Sequence, residues 1–286
     1  MTFIRRRIDV TISLASGALD ADGNNSVTIT GHRIIANMGI VGGNGVGSIV
    51  LRIFGLPVDM INRLTSIGAL YNAVNIGNKI QVAAGNDGQA LATIFNGAVL
   101  QAYGDFQNAP DVSLVVVASS QGAAALQPIG ANTYIGATDV ATIMQNLASQ
   151  GGFNFENNAV NVKLYNPYFY GSVLNQIQSC ARAANINYVI DRQTLAIWPK
   201  NAARKGDIQV LSASTGMIGY PVYASNYILV NHIFLPNAIF GGKVNIQSSI
   251  TPVSGTRVIT LVTHSLQSEV PGGDWMTQLQ CAVILP

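Results

Sequence analysis

Val115, Val116 and Val117 stand side by side in the chain, and this run limits the fold more than any other feature. It lies in the stretch from Ile94 to Ser120, which reads as two apolar runs, Ile94 to Tyr103 and Val112 to Ala118, around one turn. The turn holds Gly104, Asp105, Asn108, Pro110 and Asp111, residues that permit or fix turn dihedrals or bond back to their own backbone. Adjacent β-branched residues close to a proline disfavour a helix. A continuous apolar strand needs cover on both faces. The sequence therefore predicts a buried β-hairpin in mid-chain. One face should pack the domain's own core, and the other should meet an adjacent layer or subunit.

Composition supports burial on a larger scale. Of 286 residues, 49% are apolar and only 10% are charged, against about 25% charged in typical soluble domains. No apolar run reaches the roughly 20 residues of a membrane-spanning helix. Scarce charge then points to large subunit interfaces, whose centres are depleted of charged residues. The net charge of +2 is too small to argue for nucleic-acid binding by whole-chain electrostatics. Arg5, Arg6 and Arg7 precede the alternating segment Ile8 to Leu14. They are read as a basic lead-in to a first strand, because a signal peptide would continue with unbroken apolar sequence. With no signal peptide, synthesis in a reducing cytoplasm is expected.

The first part of the chain, 1–127, reads as short strands with turns between them, an antiparallel sheet that is closed or nearly closed. Strands are expected at Ile8 to Leu14, Val27 to Ile35, Ser48 to Phe54 and Asn78 to Ala84, with one helix at Pro57 to Leu64. The middle part, 128–205, changes character. Val140, Ile143, Met144 and Leu147 recur at helical spacing, as do Val173, Leu174, Ile177 and Ala181, with Ser172 as a helix cap. A hairpin follows each helix: Phe153 to Phe155 with Val160 to Leu164, and Ile186 to Ile190 with Thr194 to Trp198. The last part, 206–286, returns to strands, at Ile208 to Leu211, Tyr227 to Leu235, Lys243 to Ile250, Thr256 to His264 and Trp275 to Leu285. These suggest a second antiparallel barrel or sandwich.

Motifs for chemistry are sparse. His32, His232 and His264 have no zinc spacing. Asp20-x-Asp22-x-Asn24 opens like a calcium loop, but Gly23 and Gly31 occupy the wrong positions, so it reads as a hairpin turn. The loop Gly42 to Gly47 lacks the Lys-Ser/Thr of a phosphate cradle and precedes a strand, so it reads as a flexible loop. There is no Gly-x-Ser-x-Gly elbow, and Glu156 and Glu269 are the only glutamates. Cys180, in a helix, and Cys281, in a strand, fit no metal motif and read as buried free thiols. Tyr165, Tyr168, Phe169 and Tyr170 surround Pro167 with only Lys163 nearby, too little charge for a nucleic-acid platform. Packing between domains is expected of them. No catalytic, cofactor-binding or metal residue is assigned, and no small-molecule substrate is expected.

Three stretches carry a resemblance: Ile94 to Ser120; Leu195-Ala196-Ile197-Trp198-Pro199-Lys200 running to Leu211-Ser212-Ala213-Ser214-Thr215-Gly216-Met217-Ile218-Gly219-Tyr220-Pro221; and His264-Ser265-Leu266 to Pro271-Gly272-Gly273-Asp274-Trp275. Together they resemble the baseplate hub protein of contractile-tailed bacteriophages, the family of Mu-like and late-control-type hubs. The resemblance implies a mainly β chain, with two tail-tube-like antiparallel β-barrel domains flanking a small α+β insert of helix–hairpin units. It implies a homotrimeric ring in the virion baseplate that joins the tail tube protein to the central spike protein. Other baseplate proteins would surround it, and phage DNA would pass through the lumen. The alternatives are a tube-end adaptor, a hub of a phage-like injection system, or a peptidoglycan-degrading tail enzyme.

Overall fold

The computed structural model describes residues 4–19, 22–43, 45–65, 77–224 and 226–283. The chain is mostly β and divides into two units. The first comprises Met1–Gly39, Ser48–Ala123 and His264–Met276; the second comprises Ile40–Gly47, Ala124–Thr263 and Thr277–Pro286.

In the first unit, strands pair in the order β2 (Ser26–Ile29), β1 (Arg6–Ser13), β5 (Lys79–Asn86), β6 (Ala92–Asp105), β7 (Ser113–Ser119), β4 (Ser48–Phe54), β3 (Ile34–Ile40) and the end of β19 (Gly255–Ser268). Period-two alternation explains them. Ile8, Val10 and Ile12 of β1, Ile49, Leu51 and Ile53 of β4, and Ile80, Val82 and Ala84 of β5 are all buried. The expected strand from Val27 to Ile35 is instead two strands, β2 and β3. Gly31 between them has φ +70°, a left-handed conformation that breaks a strand and suits glycine.

The mid-chain hairpin is β6 paired with β7, in register from Ala98↔Ser119 to Asp105↔Ser113, with a bulge between Val99 and Gln101. Leu114, Val116 and Ala118 are buried, and so is Val115 on the opposite face. Cross-strand neighbours supply part of that second cover. Val115 lies between Arg52 and Tyr103, and the Arg52 guanidinium reaches Asp105 at 3.0 Å. Near Ser119, Gly122 opens the short helix α2 (Gly122–Leu126), which the sequence reading lacked; a Cβ there would lie 3.4 Å from that of Ala98. Helix α1 (Val58–Leu64) forms as expected after Pro57 and buries Ile61 and Leu64.

No strand pairing among the described residues closes the first unit into a barrel; its pairings run as an open path from β2 to β19. The arginine cluster bridges the gap. Arg5 Nε donates to Glu269 at 2.8 Å, Arg6 donates to the Gly273 carbonyl at 2.7 Å, and the Arg6 guanidinium lies 5.5 Å from the centre of the Trp275 ring. Glu269 to Trp275 is the turn that follows β19, so these side chains tie the start of β1 to the far end of the path. Arg6→Ala is expected to lower stability by about 1 kcal/mol, the scale of an exposed cation–π contact; thermal unfolding measures it.

The second unit contains an α+β part. Helices α3 (Val140–Gln150) and α4 (Val173–Ala183) pack over a three-stranded sheet of β10 (Asn154–Asn157), β14 (Thr194–Pro199) and β13 (Ile186–Asp191). The helical stripes read from the sequence are the buried ones, and Ser172 caps α4 by accepting from the Asn175 backbone N–H. The second expected hairpin exists as β13–β14. The first does not. β10 pairs parallel to β14, β11 (Lys163–Tyr165) pairs instead with β9 (Ala137–Asp139), and β12 (Tyr168–Phe169) pairs with β8 (Asn132–Thr133). The reason lies in Asn157 and Asn158. The Asn157 side chain bonds both backbone groups of Val160, and Asn158 bonds the Ile197 carbonyl and the Lys205 N–H, which turns the chain away from a hairpin.

The remaining strands of the second unit run β16 (Met217–Tyr223), β17 (Ile228–Ile233), β20 (Trp275–Val283), β19 and β18 (Lys243–Ile246). β16 was not among the expected strands. β15 (Gln209–Leu211) pairs parallel to β18, which corrects the purely antiparallel expectation for this part. Residues 284 and 285 of the last expected strand lie outside the described residues.

Candidate functional site

The residues singled out for chemistry are spread through the two units. In the first unit, His32 Nδ1 meets the Phe54 carbonyl at 2.9 Å, and His264 is fully buried. His232, in the second, meets the Ile233 carbonyl through Nδ1 at 2.8 Å and Thr215 Oγ1 through Nε2 at 3.5 Å. Among the described residues no three His, Cys, Asp or Glu side chains gather as a metal site. Asp20 and Ala21 of the calcium-like segment lie outside the described residues, and β1 and β2 on either side of it pair as a hairpin.

Cys180 and Cys281 are buried and free, in α4 and β20. Burial pushes each thiol up to about 12, so neither carries thiolate at neutral pH. The Arg5 and Arg7 guanidinium groups pair with carboxylates of Glu269, Asp9 and Asp87, and are held above the ordinary arginine value by those hydrogen bonds and charges.

The glycine-rich loop is anchored, contrary to the flexible loop expected. A Cβ on Gly42 would collide with the Phe240 ring, and Gly43, at φ +67°, donates its N–H to the Tyr188 carbonyl at 3.0 Å. Asn44 lies outside the described residues. Gly42→Ala is expected to cost about 1–3 kcal/mol by overpacking, read as a lower urea midpoint with unchanged slope.

Two side-chain networks hold the α+β part to residues 238–241 of the same unit. Arg204 donates to both oxygens of Glu156, at 3.2 and 2.8 Å, and to the Phe240 carbonyl at 3.3 Å. Arg192 donates to the Ala238 carbonyl at 3.2 Å and lies 3.7 Å from the Asp191 carboxylate. Burial raises the Asp191 pKa despite the nearby Arg192 and Arg204 charges.

What the surface offers is apolar. Of the aromatic cluster, only Phe169 is buried; Tyr165, Tyr168 and Tyr170 are exposed, against the expectation that they pack between domains. Ile135 beside them is exposed too. A second exposed group is Ile218, Tyr220, Val222 and Tyr223 on β16. The sequence carried a signal for both groups in its charge-free runs. From Val112 to Thr138 and from Leu164 to Ala181 there is no charged residue, and between Ile208 and Thr256 the only one is Lys243. Such surface suits contacts between proteins.

The fold is shared with solved tail proteins. The structure is similar to the 43 kDa tail protein of prophage MuSo2 from Shewanella oneidensis, with TM-score 0.61 and 8% identity over 96% of both chains. It is similar to the tail protein from Neisseria meningitidis MC58, with TM-score 0.60, 8% identity and 96% of both chains covered. A third likeness is to the Escherichia coli c3393 protein, a type VI secretion component with structural similarity to the T4 tail proteins gp27 and gp5. There the TM-score is 0.59 at 11% identity, over 88% of this chain and 73% of that one. No curated protein matches the sequence. The family described as baseplate hub gp41 matches over residues 58–274, most of the chain. The chain belongs to that family and has a structural role in the hub of a phage tail.

Proposed function

We propose that this chain is a non-enzymatic hub subunit, three copies of which close into a ring between the tail tube and the central spike. The ring leaves an axial passage for phage DNA, and other baseplate proteins attach around it. Tube-like β domains at 1–127 and 206–286 build the ring, and the α+β part at 128–205 is inserted between them. The protein is made in the host cytoplasm and incorporated into the virion. Family membership is the observation that carries this reading. Scarce charge and exposed apolar faces support it, since a ring subunit covers two flanks. Light scattering of the purified chain tests it. The expected mass is about three times 30.1 kDa, and a monomer at all concentrations contradicts the ring.

A hub of an injection system is the second reading. It is favoured by the likeness to the c3393 protein and to a Francisella PdpA–VgrG complex, with TM-score 0.56 over 97% of this chain and 53% of that chain. Copurification with tail tube protein or with a secretion-type spike separates the two. A clearing assay on a peptidoglycan suspension is expected to show no change in turbidity; clearing contradicts the non-enzymatic reading.

A further inference from the structure

Strand pairing leaves half of one edge of β1 open. β1 meets β5 along its whole length from Arg6 to Ser13, but β2 covers its other edge only from Val10 to Ser13. The Asp87 N–H donates to the Arg5 carbonyl at 2.9 Å, in step with the β1–β5 register, so the backbone groups of Arg7 and Asp9 turn toward β5. Those of Arg6 and Ile8 turn the other way, where no strand pairs with them among the described residues.

The turn after β19 stands at that edge, and side chains make the join. Arg5 pairs with Glu269 at 2.8 Å and lies 3.9 Å from Asp87. Arg7 pairs with Asp9 at 2.8 Å and lies 3.6 Å from Asp87. Arg6 bonds the Gly273 carbonyl and covers the Trp275 ring. Only 10% of the chain is charged, yet six charged side chains gather at this one seam. They stay open to water: the Arg5 side chain is 55% exposed, Arg7 and Asp87 are 39% and Glu269 is 29%. Exposed ion pairs are weak and are screened by salt. The neighbouring joints, β1–β5 and β5–β6, are ladders of backbone hydrogen bonds, which screening leaves in place. A joint held by a few exposed contacts opens at lower free energy than the whole domain.

We propose that the seam between the first half of β1 and the turn from Glu269 to Trp275 is a salt-sensitive latch, which opens locally while the ladders beside it stay paired. Opening uncovers the Trp275 ring and the Ile8 edge, and no strand has to leave its partner. The latch does not depend on the ring reading.

Acrylamide quenching of Trp275 tests it, in a Trp198→Phe background that leaves Trp275 as the only tryptophan. Arg6 stays in place, since its removal would uncover the ring directly. Between about 0.1 and about 1 M NaCl the screening length falls from about 10 to about 3 Å, and the quenching constant is expected to rise about 2-fold or more. Arg5→Gln and Glu269→Gln are expected to show the high value already at the lower salt. Lys163→Gln, which breaks an exposed ion pair in the second unit, is expected to leave quenching unchanged. Hydrogen exchange is expected to quicken with salt from Arg6 to Asp9 and to stay constant from Ile80 to Ala84 of β5. Light scattering at both salt levels fixes the state of assembly. Quenching and exchange that are the same at both salt levels and in both seam variants overturn the latch. A rise that tracks a fall in mass also overturns it, because Trp275 then reports subunit separation. Exchange that quickens in β5 together with β1 contradicts a local opening.

Discussion

Val116→Asp is expected to abolish folding of the first unit. Val116 is 1% exposed and stands between Leu51 and Ala102 in the register of β4, β7 and β6. Losing a buried valine forfeits about 1.5–3 kcal/mol. An unpaired buried carboxylate costs several kcal/mol more, or takes up a proton to avoid it. Neither cross-strand neighbour can donate a hydrogen bond from its side chain. The sum approaches the roughly 5–15 kcal/mol that hold a whole domain together. Soluble yield and urea unfolding measure it. Val117→Asp is the control, since Val117 is only partly buried and its charge can reach water. A soluble Val116→Asp protein with the parent's unfolding transition contradicts a packed wall.

The second large effect is expected at Arg204. Its side chain is 7% exposed, and it joins Glu156 in the α+β part to the Phe240 carbonyl. Arg204→Met removes the partner of a carboxylate that is itself more than a third exposed. The cost is therefore expected at or below the lower bound of about 3 kcal/mol for breaking a buried pair. The pair also leaves a signature in pH. Burial alone raises the Glu156 pKa, but hydrogen bonds from Arg204 and Asn158, with the Arg204 charge, bring it below its ordinary value. A carboxylate held low in the folded state contributes its full stability above the unfolded pKa. It loses that contribution as pH falls through the folded value. Asp191 acts in the opposite sense: its pKa is raised by burial, so its neutral form favours the fold as pH falls. The diagnostic is thus the difference between parent and Glu156→Gln. The variant should lose less stability on acidification below about pH 5, the region where ordinary carboxylates begin to protonate. Equal slopes in thermal unfolding contradict a working Glu156–Arg204 pair.

Local periodicity made much of the fold legible. The stripe of Val140, Ile143, Met144 and Leu147, and the alternation of Ile8, Val10 and Ile12, are each fixed by neighbours a few residues away. What the sequence hid depends on distant partners. The parallel pairing of β10 with β14 is set by Asn158 reaching Ile197 and Lys205, and no local pattern announces that reach. β16 was missed because Gly219 and Pro221 interrupt its alternation, while its exposed aromatics lack the polar half of a surface strand. Packing of the aromatic cluster was expected because only Lys163 stands near it, but a shortage of charge does not tell a covered tyrosine from an exposed one, and Tyr165, Tyr168 and Tyr170 are exposed. Arg6 and Arg7, expected as a lead-in to the first strand, are instead the first residues of β1, and the bridge from Arg6 to Gly273 and Trp275 spans almost the entire chain.

A cryo-EM map of the assembled tail decides whether the chain forms the ring. Three copies of this chain are expected in one ring between the tube and the spike, around an open axial passage. A map with the chain outside that ring, or present there as a single copy, contradicts it.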